Sequence, residues 1–299
     1  MKSSKKLIKY SLVVIVTCVL LVLAKEILKI EFKAKESQSV EYSGNVSDNR
    51  IGALLHVFKA YDEQGEIKLI RVGRNNDGGY VVPEKSLLLA DALMGYGIAR
   101  DNSFEIAFAK NYAKPSYGFD CGGNRAKEKY YLYKFVNECI GSDSSLYSNR
   151  RSSKRITSLT EQVTKFNLQG KKLFIKMDIE GSEYQALANI LENNAKNITA
   201  IVFEFHDYPY RAEETIKVLS SFNKDFVLLH IHPNNHLPLV FSAKNIKGSL
   251  PKNLELTYLN KSLTTRFEKI KEKTYPIADL DMPSNFRGPD PIFTIFSAD

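Results

Sequence analysis

Apolar residues are distributed along this 299-residue chain in three regimes. From Leu12 to Ala24 they form one uninterrupted run, whose least apolar members are Thr17 and Cys18. From Ala34 to Arg50 they thin out among Ser, Gly, Asn and Asp, and so polar a segment buries too little surface to fold, so it reads as a flexible stalk. From Ile51 onward, short apolar runs of strand length alternate with stretches in helical spacing. That alternation predicts an α/β domain over 51–299.

Within the domain, Ile51 to Ala60 predicts a short amphipathic helix. Ile67 to Val72 and Tyr80 to Val82 predict the arms of a hairpin, because Asp77-Gly78-Gly79 supplies the positive φ that a tight reversal needs. Asp91 to Met94 reads as a strand, and Ser103 caps a helix running through Phe104, Ile106 and Phe108 to Tyr112. Ser116 to Phe119 and Phe135 to Ile140 predict two more strands. Ser158-Leu159-Thr160-Glu161 is a capping box for a helix to about Leu168. Leu173 to Met177 is strand-like, breaks at Asp178-Ile179-Glu180-Gly181, and resumes in helical spacing at Tyr184, Leu187, Ile190 and Leu191. Strands over Ile198 to Phe205 and Phe226 to Ile231 flank a helix from Arg211 to Phe222, and Asn253 to Leu259 predicts the strand that closes the sheet.

Charge changes the picture only at the amino terminus. The formal net charge is +8, but residues 1–36 hold eight Lys and three Glu, a net +5, leaving +3 for the other 263 residues. The excess belongs to the tail, so nucleic-acid binding gains no support from it. Lys2, Lys5, Lys6 and Lys9 precede the apolar run, which at 13 residues is shorter than the ~20 that span a bilayer. Leu7 and Ile8 extend it on one side, with Lys9 snorkelling, and Ile27, Leu28 and Ile30 on the other. Residues 1–33 are therefore expected to be a single N-terminal hydrophobic helix, a single-pass membrane anchor. The rival is a cleaved signal peptide ending at Val22-Leu23-Ala24. Lysines on both sides of the run leave the orientation open. The three cysteines carry no metal-type spacing, and whether Cys121 pairs with Cys139 is undetermined.

The candidate chemistry lies where strands end. In open α/β sheets, ligands sit in the crevice beyond the carboxyl ends of the strands. Asp178, Glu180 and Glu183 fall there. Acids also suit a helix N-terminus, which accounts for Glu183, but Asp178 still belongs to the strand end. Gly95-Tyr96-Gly97 offers backbone that a ligand can approach closely. Glu204 and His206 lie at the end of the next strand, so Asp178 and His206 share a crevice if the two strands are neighbours. Four of the five His fall between His206 and His236, with His230 and His232 pointing the same way along one strand. No Cys supports a zinc site among them.

KMDIEGSEYQAL resembles the hallmark segment of the FkbM-type methyltransferases, S-adenosylmethionine-dependent enzymes mostly associated with O-methylation. RVGRNNDGGYVVP is similar to an R-x-G-x-x-x-D-G-G-Y segment of one branch of that family. HIHPNN resembles its H-I-H-G-N-N, with Pro233 in place of Gly. The segment that holds Asp281, Pro283, Asn285, Arg287, Pro289 and Asp290 resembles the family's D-x-P-N-x-x-x-R-P-D ending. The resemblance runs from about Ile70 to the carboxyl end.

It implies a class I methyltransferase-like (Rossmann-like) doubly wound sheet whose closing strand is antiparallel. An N-terminal hairpin extension (51–89) would fold over the cofactor side of a core at 90–299. S-adenosylmethionine would lie along Gly95 and Gly97, with Asp120 taking the ribose hydroxyls through two charge-assisted hydrogen bonds and Asp143 contacting the adenine. Leu93 stands where the class I turn has an acid, and Ala99 replaces its third Gly, which leaves Asp101 as a candidate for the methionine end. The implied catalytic residues are Asp178, to place the acceptor or cofactor, and His206 or His232, to take the hydroxyl proton. Glu180, Glu204 and Asn235 are the candidates for binding the acceptor, expected to be a glycan or glycolipid. An alternative has a carboxylate pair with His holding Mg²⁺ against the acceptor hydroxyls. The rival reading from another class is a non-catalytic binding or scaffold protein on a degenerate methyltransferase fold.

Overall fold

The computed structural model of the protein describes residues 54, 57–62, 67–122, 128–141, 145–149, 152–236, 241–242, 249–264 and 267–296. The expected anchor (1–33), the stalk (34–50) and Asp143 lie outside the described residues. Among those described, no helix is long and apolar enough to cross a membrane.

A hairpin of β1 (Leu69–Val72) and β2 (Tyr80–Pro83) leads into α1 (Glu84–Leu89), a short helix that apolar spacing does not reveal. The chain continues through β3 (Ala92–Tyr96), α2 (Ser103–Tyr112), β4 (Ser116–Phe119), β5 (Tyr133–Val136), α3 (Leu159–Lys165) and β6 (Leu173–Met177). It then runs through α4 (Glu183–Asn194), β7 (Ile198–Phe205), α5 (Ala212–Asp225), β8 (Phe226–Pro233) and β9 (Leu254–Asn260), and ends in a second hairpin of β10 (Glu272–Tyr275) and β11 (Phe293–Phe296).

Seven strands form one mixed sheet in the order β8-β9-β7-β6-β3-β4-β5. Only β9 runs antiparallel to its neighbours. This α/β sheet fits a Rossmann-like methyltransferase. The expected antiparallel strand is present and is inserted between β7 and β8, where its Leu254–Asn260 backbone pairs on both sides. One expectation changes. The strand expected over Phe135 to Ile140 breaks in two: β5 ends at Val136, and Cys139–Ile140 pairs with Ser152–Thr157 in a separate three-stranded sheet.

The apolar strands are continuous because both faces are covered. Met94, Tyr96, Ile175, Met177, Ile201 and Phe203 face one cluster with Tyr184, Leu187 and Ile190 of α4 and Leu219 and Phe222 of α5. Leu93, Phe174, Ala200, Val202 and Val227 face the other, with Phe104 and Phe108 of α2 and Tyr80 and Val82 of β2. Each such large apolar side chain contributes about 1.5–3 kcal/mol when withdrawn from water. The outer edge of β8 is protected as well, by a parallel bridge from Ala60 to Leu228 and by Tyr275, whose ring stands edge-on to His230.

Candidate active site

The crossover from β3 through α2 lies on one face of the sheet, and the crossover from β6 through α4 lies on the other. The order therefore reverses between β3 and β6, and a crevice opens beyond their carboxyl ends. The two tips are bonded to each other, with the Asp178 amide donating to Tyr96 O at 3.0 Å. Gly97 occupies φ +77°, and a Cβ there would fall 1.5 Å from the Asp178 carbonyl oxygen. Only glycine lets the two strand tips meet so closely.

Beside this junction is a cleft of about 300 Å³, lined among others by Gly97, Phe119, Asp120, Gly122, Ile140 and Asp178. Asp120 holds its shape. Its Oδ2 accepts from the Ala99 amide at 2.7 Å and its Oδ1 from the Gly122 amide at 2.5 Å. Cys121 and Cys139, also in the lining, are joined by a disulfide with their Cα atoms 5.1 Å apart.

On the β7 side of Asp178 lies a cluster of acids around one imidazole. His206 Nδ1 is 2.9 Å from Glu183 Oε1. Because the carboxylate accepts, Nδ1 carries the hydrogen. The same Glu183 oxygen takes the amides of Ile179 and Gly181, which explains why a fully buried acid opens α4. His206 Nε2 faces Glu180 Oε2 at 3.4 Å, Glu204 Oε1 at 3.6 Å and Asp178 Oδ1 at 3.8 Å. Glu204 Oε1 accepts from the amides of Asn234 and Asn253, each at 2.9 Å. Tyr80 donates to Asp178 Oδ2 at 3.3 Å, and Asp77 brings a further carboxylate within 4.8 Å of those of Asp178 and Glu204.

These contacts move the titrations. Burial pushes Asp178 up to about 6, against the opposing charges of Lys176 and His206. Burial and the nearby Asp178 charge raise Glu204 well above the ordinary carboxylate range. For His206, burial favours the neutral ring but is outweighed by the Glu183 hydrogen bond and by the charges of Glu204, Glu183 and Asp178, which hold it up to about 9.

His232 lies apart from this cluster. It is 1% exposed, with Nδ1 3.0 Å from Glu255 Oε2 and Nε2 2.8 Å from Asp290 Oδ2. His230 likewise meets Asp281 at 3.1 Å. Asn235 donates to the carbonyls of Asn285 and Gly288 and accepts from the Asn285 amide. The carboxyl-terminal segment is thus strapped to β8. It in turn holds the β1–β2 turn, since Asn76 donates to Pro283 O and the Asp77 amide to Ser284 O.

The family model described as the methyltransferase FkbM domain matches residues 56–229. The chain belongs to the FkbM methyltransferase family. A search of curated proteins finds no match. A solved structure described as a riboflavin biosynthesis protein from Shewanella sp. PV-4 is similar over 75% of this chain and 85% of that one. Its 13% identity and TM-score of 0.20 are too low to carry any argument.

In this FkbM protein the residues singled out from the sequence fall into three groups. Gly97, Asp120, Asp178 and Glu180 line the cleft, and His206 and Glu204 adjoin it through Asp178. Gly95 and Asp101 do not line it. The open side of Gly95, inside β3, is filled by Glu105, whose Oε1 lies 2.2 Å from where a Cβ would be. Asp101 caps α2 by accepting from the Ser103 amide and pairs with Arg74 Nε at 3.2 Å. His232 and Asn235 hold the carboxyl-terminal segment, so both ring nitrogens of His232 are engaged and a proton-accepting role has no geometric basis. Sequence reasoning did not single out Tyr80 and Asp77, although both lie in the segment expected to fold over the cofactor side, and it missed Lys176. That lysine is 4% exposed and donates to Gly97 O at 3.1 Å. Its signal was visible: a charge inside an otherwise apolar strand.

Proposed function

We propose that this FkbM family member transfers a methyl group from S-adenosylmethionine to a hydroxyl of a glycan or glycolipid, and that residues 1–33 hold it to a membrane by a single pass. One observation carries the reading: Asp178 both lines the cleft that contains Asp120 and stands 3.8 Å from His206 in the adjoining acid cluster. The cleft suits the donor, because an acidic group with unfilled lone pairs can take a ribose diol, and Phe119 and Ile140 offer apolar walls to a flat ring. Bound there, S-adenosylmethionine supplies an electrophilic methyl on a sulfonium whose positive charge is lost in transfer, so no large electrostatic clamp is required.

What the chain must supply is alignment, exclusion of water and removal of the hydroxyl proton. Holding the reactants in near-attack geometry contributes about 7–11 kcal/mol, and a positioned base typically ~10²–10⁴-fold. Asp178 is the group that borders both partners. It orients the acceptor hydroxyl and takes its hydrogen, while Glu204, fixed by two amides, and Glu180 hold the neighbouring hydroxyls.

Calorimetric titration of the full chain with S-adenosylmethionine and its demethylated product tests this. Saturable heat is expected for both. No heat at millimolar cofactor would instead favour a non-catalytic binding or scaffold protein. Protease protection in sealed membranes reports the anchor and the side on which the domain lies.

A further inference from the structure

The geometry points to a divalent-cation site in the acid cluster, with Asp178, Glu204, Asp77 and His206 Nε2 as donors and Mn²⁺ or Mg²⁺ as occupant. The argument begins with the imidazole. His206 is 8% exposed, and its Nδ1 hydrogen is given to Glu183. That is how metal-ligating histidines are oriented: an acid on one ring nitrogen fixes the ring, and a cation that displaces the proton of the other takes up its lone pair. Among the described residues Nε2 makes no hydrogen bond, yet it is aimed at three carboxylate oxygens 3.4–3.8 Å away.

Those separations are long for a hydrogen bond and right for donors sharing an ion. Atoms bound to one cation at about 2.1 Å lie about 3.0–4.2 Å apart. Two overlapping donor sets meet at Asp178. Oxygens of Asp77, Asp178 and Glu204 lie within 4.8 Å of one another, as do donor atoms of Asp178, Glu183 and His206. Small side-chain movements bring Asp77, Asp178, Glu204 and His206 Nε2 onto one ion, with Glu183 kept behind the ring as the acceptor of its Nδ1 hydrogen.

The charge also calls for a cation. Five acids (Asp77, Asp178, Glu180, Glu183 and Glu204) converge here, whereas the positive charges acting on Asp178 are those of Lys176 and His206. Lys176 donates its hydrogens to the Tyr96 and Gly97 carbonyls and to no carboxylate of the cluster among the described residues. Carboxylates with a single imidazole and no thiolate make a hard, oxygen-rich set, which selects Mg²⁺ or Mn²⁺. If the methyltransferase reading holds, on which this consequence alone rests, the ion presents two vicinal acceptor hydroxyls to Asp178 and lowers the cost of removing a proton from one of them.

The test uses the full-length chain and MnCl₂, followed by electron paramagnetic resonance. A single saturable Mn²⁺ per chain is expected, with echo modulation from one directly bound imidazole nitrogen in the wild-type protein. Glu183→Gln, which releases the histidine without removing a donor, should weaken binding about 10–100-fold. His206→Gln should abolish the nitrogen signal. No saturable binding at millimolar Mn²⁺, or a bound ion with no nitrogen coupling, overturns the site, and the wild-type spectrum decides this even if a variant fails to fold. Titration with the demethylated cofactor product, with and without Mn²⁺, separates the two ideas. Product binding with no Mn²⁺ bound removes the cation site and leaves the transferase reading standing, and the converse result does the opposite.

Discussion

The Tyr80 hydroxyl donates to Asp178 Oδ2 at 3.3 Å, joining residues 98 positions apart in the chain. Through this contact the β1–β2 hairpin closes over the tip of β6 and brings Asp77 to the acid cluster. The extension expected to fold over the cofactor side thereby contributes side chains to the acid cluster. Tyr80→Phe keeps the packing of a fully buried ring against Phe104 but removes the donor. It should cost about 0.5–1.5 kcal/mol in urea unfolding. An unchanged midpoint would mean that the contact does not hold the hairpin down.

Asp178→Asn retains the shape of the side chain and removes its capacity to take a proton. Incorporation of labelled methyl from S-adenosylmethionine into a glycan and lipid extract should fall by at least about 100-fold. The circular dichroism of the variant should match that of the wild type. Wild-type incorporation in a folded Asp178→Asn protein would remove this residue from the chemistry.

Asp120→Asn tests the donor end of the cleft. The substitution weakens the acceptor set that holds the Ala99 and Gly122 amides and that, on the proposed reading, would take the ribose hydroxyls. Loss of a hydrogen bond to a charged group costs about 1.5–3 kcal/mol, so calorimetry should show donor affinity reduced roughly 10- to 100-fold. Equal affinity in the two proteins would place the ribose elsewhere.

Gly97→Ala forces a side chain into φ +77° and onto the Asp178 carbonyl. Strain of this kind costs about 1–3 kcal/mol before the steric clash is counted. The expected result is an earlier denaturation midpoint together with weaker donor binding, since β3 and β6 meet at this residue. A variant as stable as wild type would show that the two tips can separate freely.

His232 makes a pH prediction. Burial favours its neutral form, but Glu255 and Asp290 outweigh this and hold the imidazole up to about 10, above its ordinary 6.5. A raised folded value stabilises the protein fully below pH 6.5, and the contribution is lost as pH rises through about 10. His232→Gln should therefore cost about 3–5 kcal/mol near pH 6, the range for breaking a buried charge pair. The difference from wild type should shrink toward pH 10 in thermal unfolding. A gap that stays constant over that range would show that His232 is neutral in the folded chain.

Much of the sheet was legible because its signals are local. Ile198–Phe205 and Leu173–Met177 are apolar throughout, as strands covered on both faces must be, and Ser158 with Glu161 announces α3, where both capping hydrogen bonds form. The break at Val136 was not legible, because Cys139–Ile140 leaves β5 to pair with a strand that begins 13 residues later. Helix α1 was hidden for a different reason. Six residues are too few to display a helical period.

The candidate site divides along the same line. Residue order alone put Asp178, Glu180 and Asp120 at strand ends, and an α/β alternation turns every such end toward one rim of the sheet. Which acid touches which histidine depended on strand order, and hence on contacts between distant parts of the chain. His206 and His232 read alike in sequence, each at the end of an apolar strand. Only the insertion of β9 between β7 and β8 separates them, pairing His232 with Glu255 and the carboxyl-terminal Asp290 while leaving His206 to face Asp178. Such pairings arise from the folding back of segments dozens of residues apart, which local periodicity does not encode.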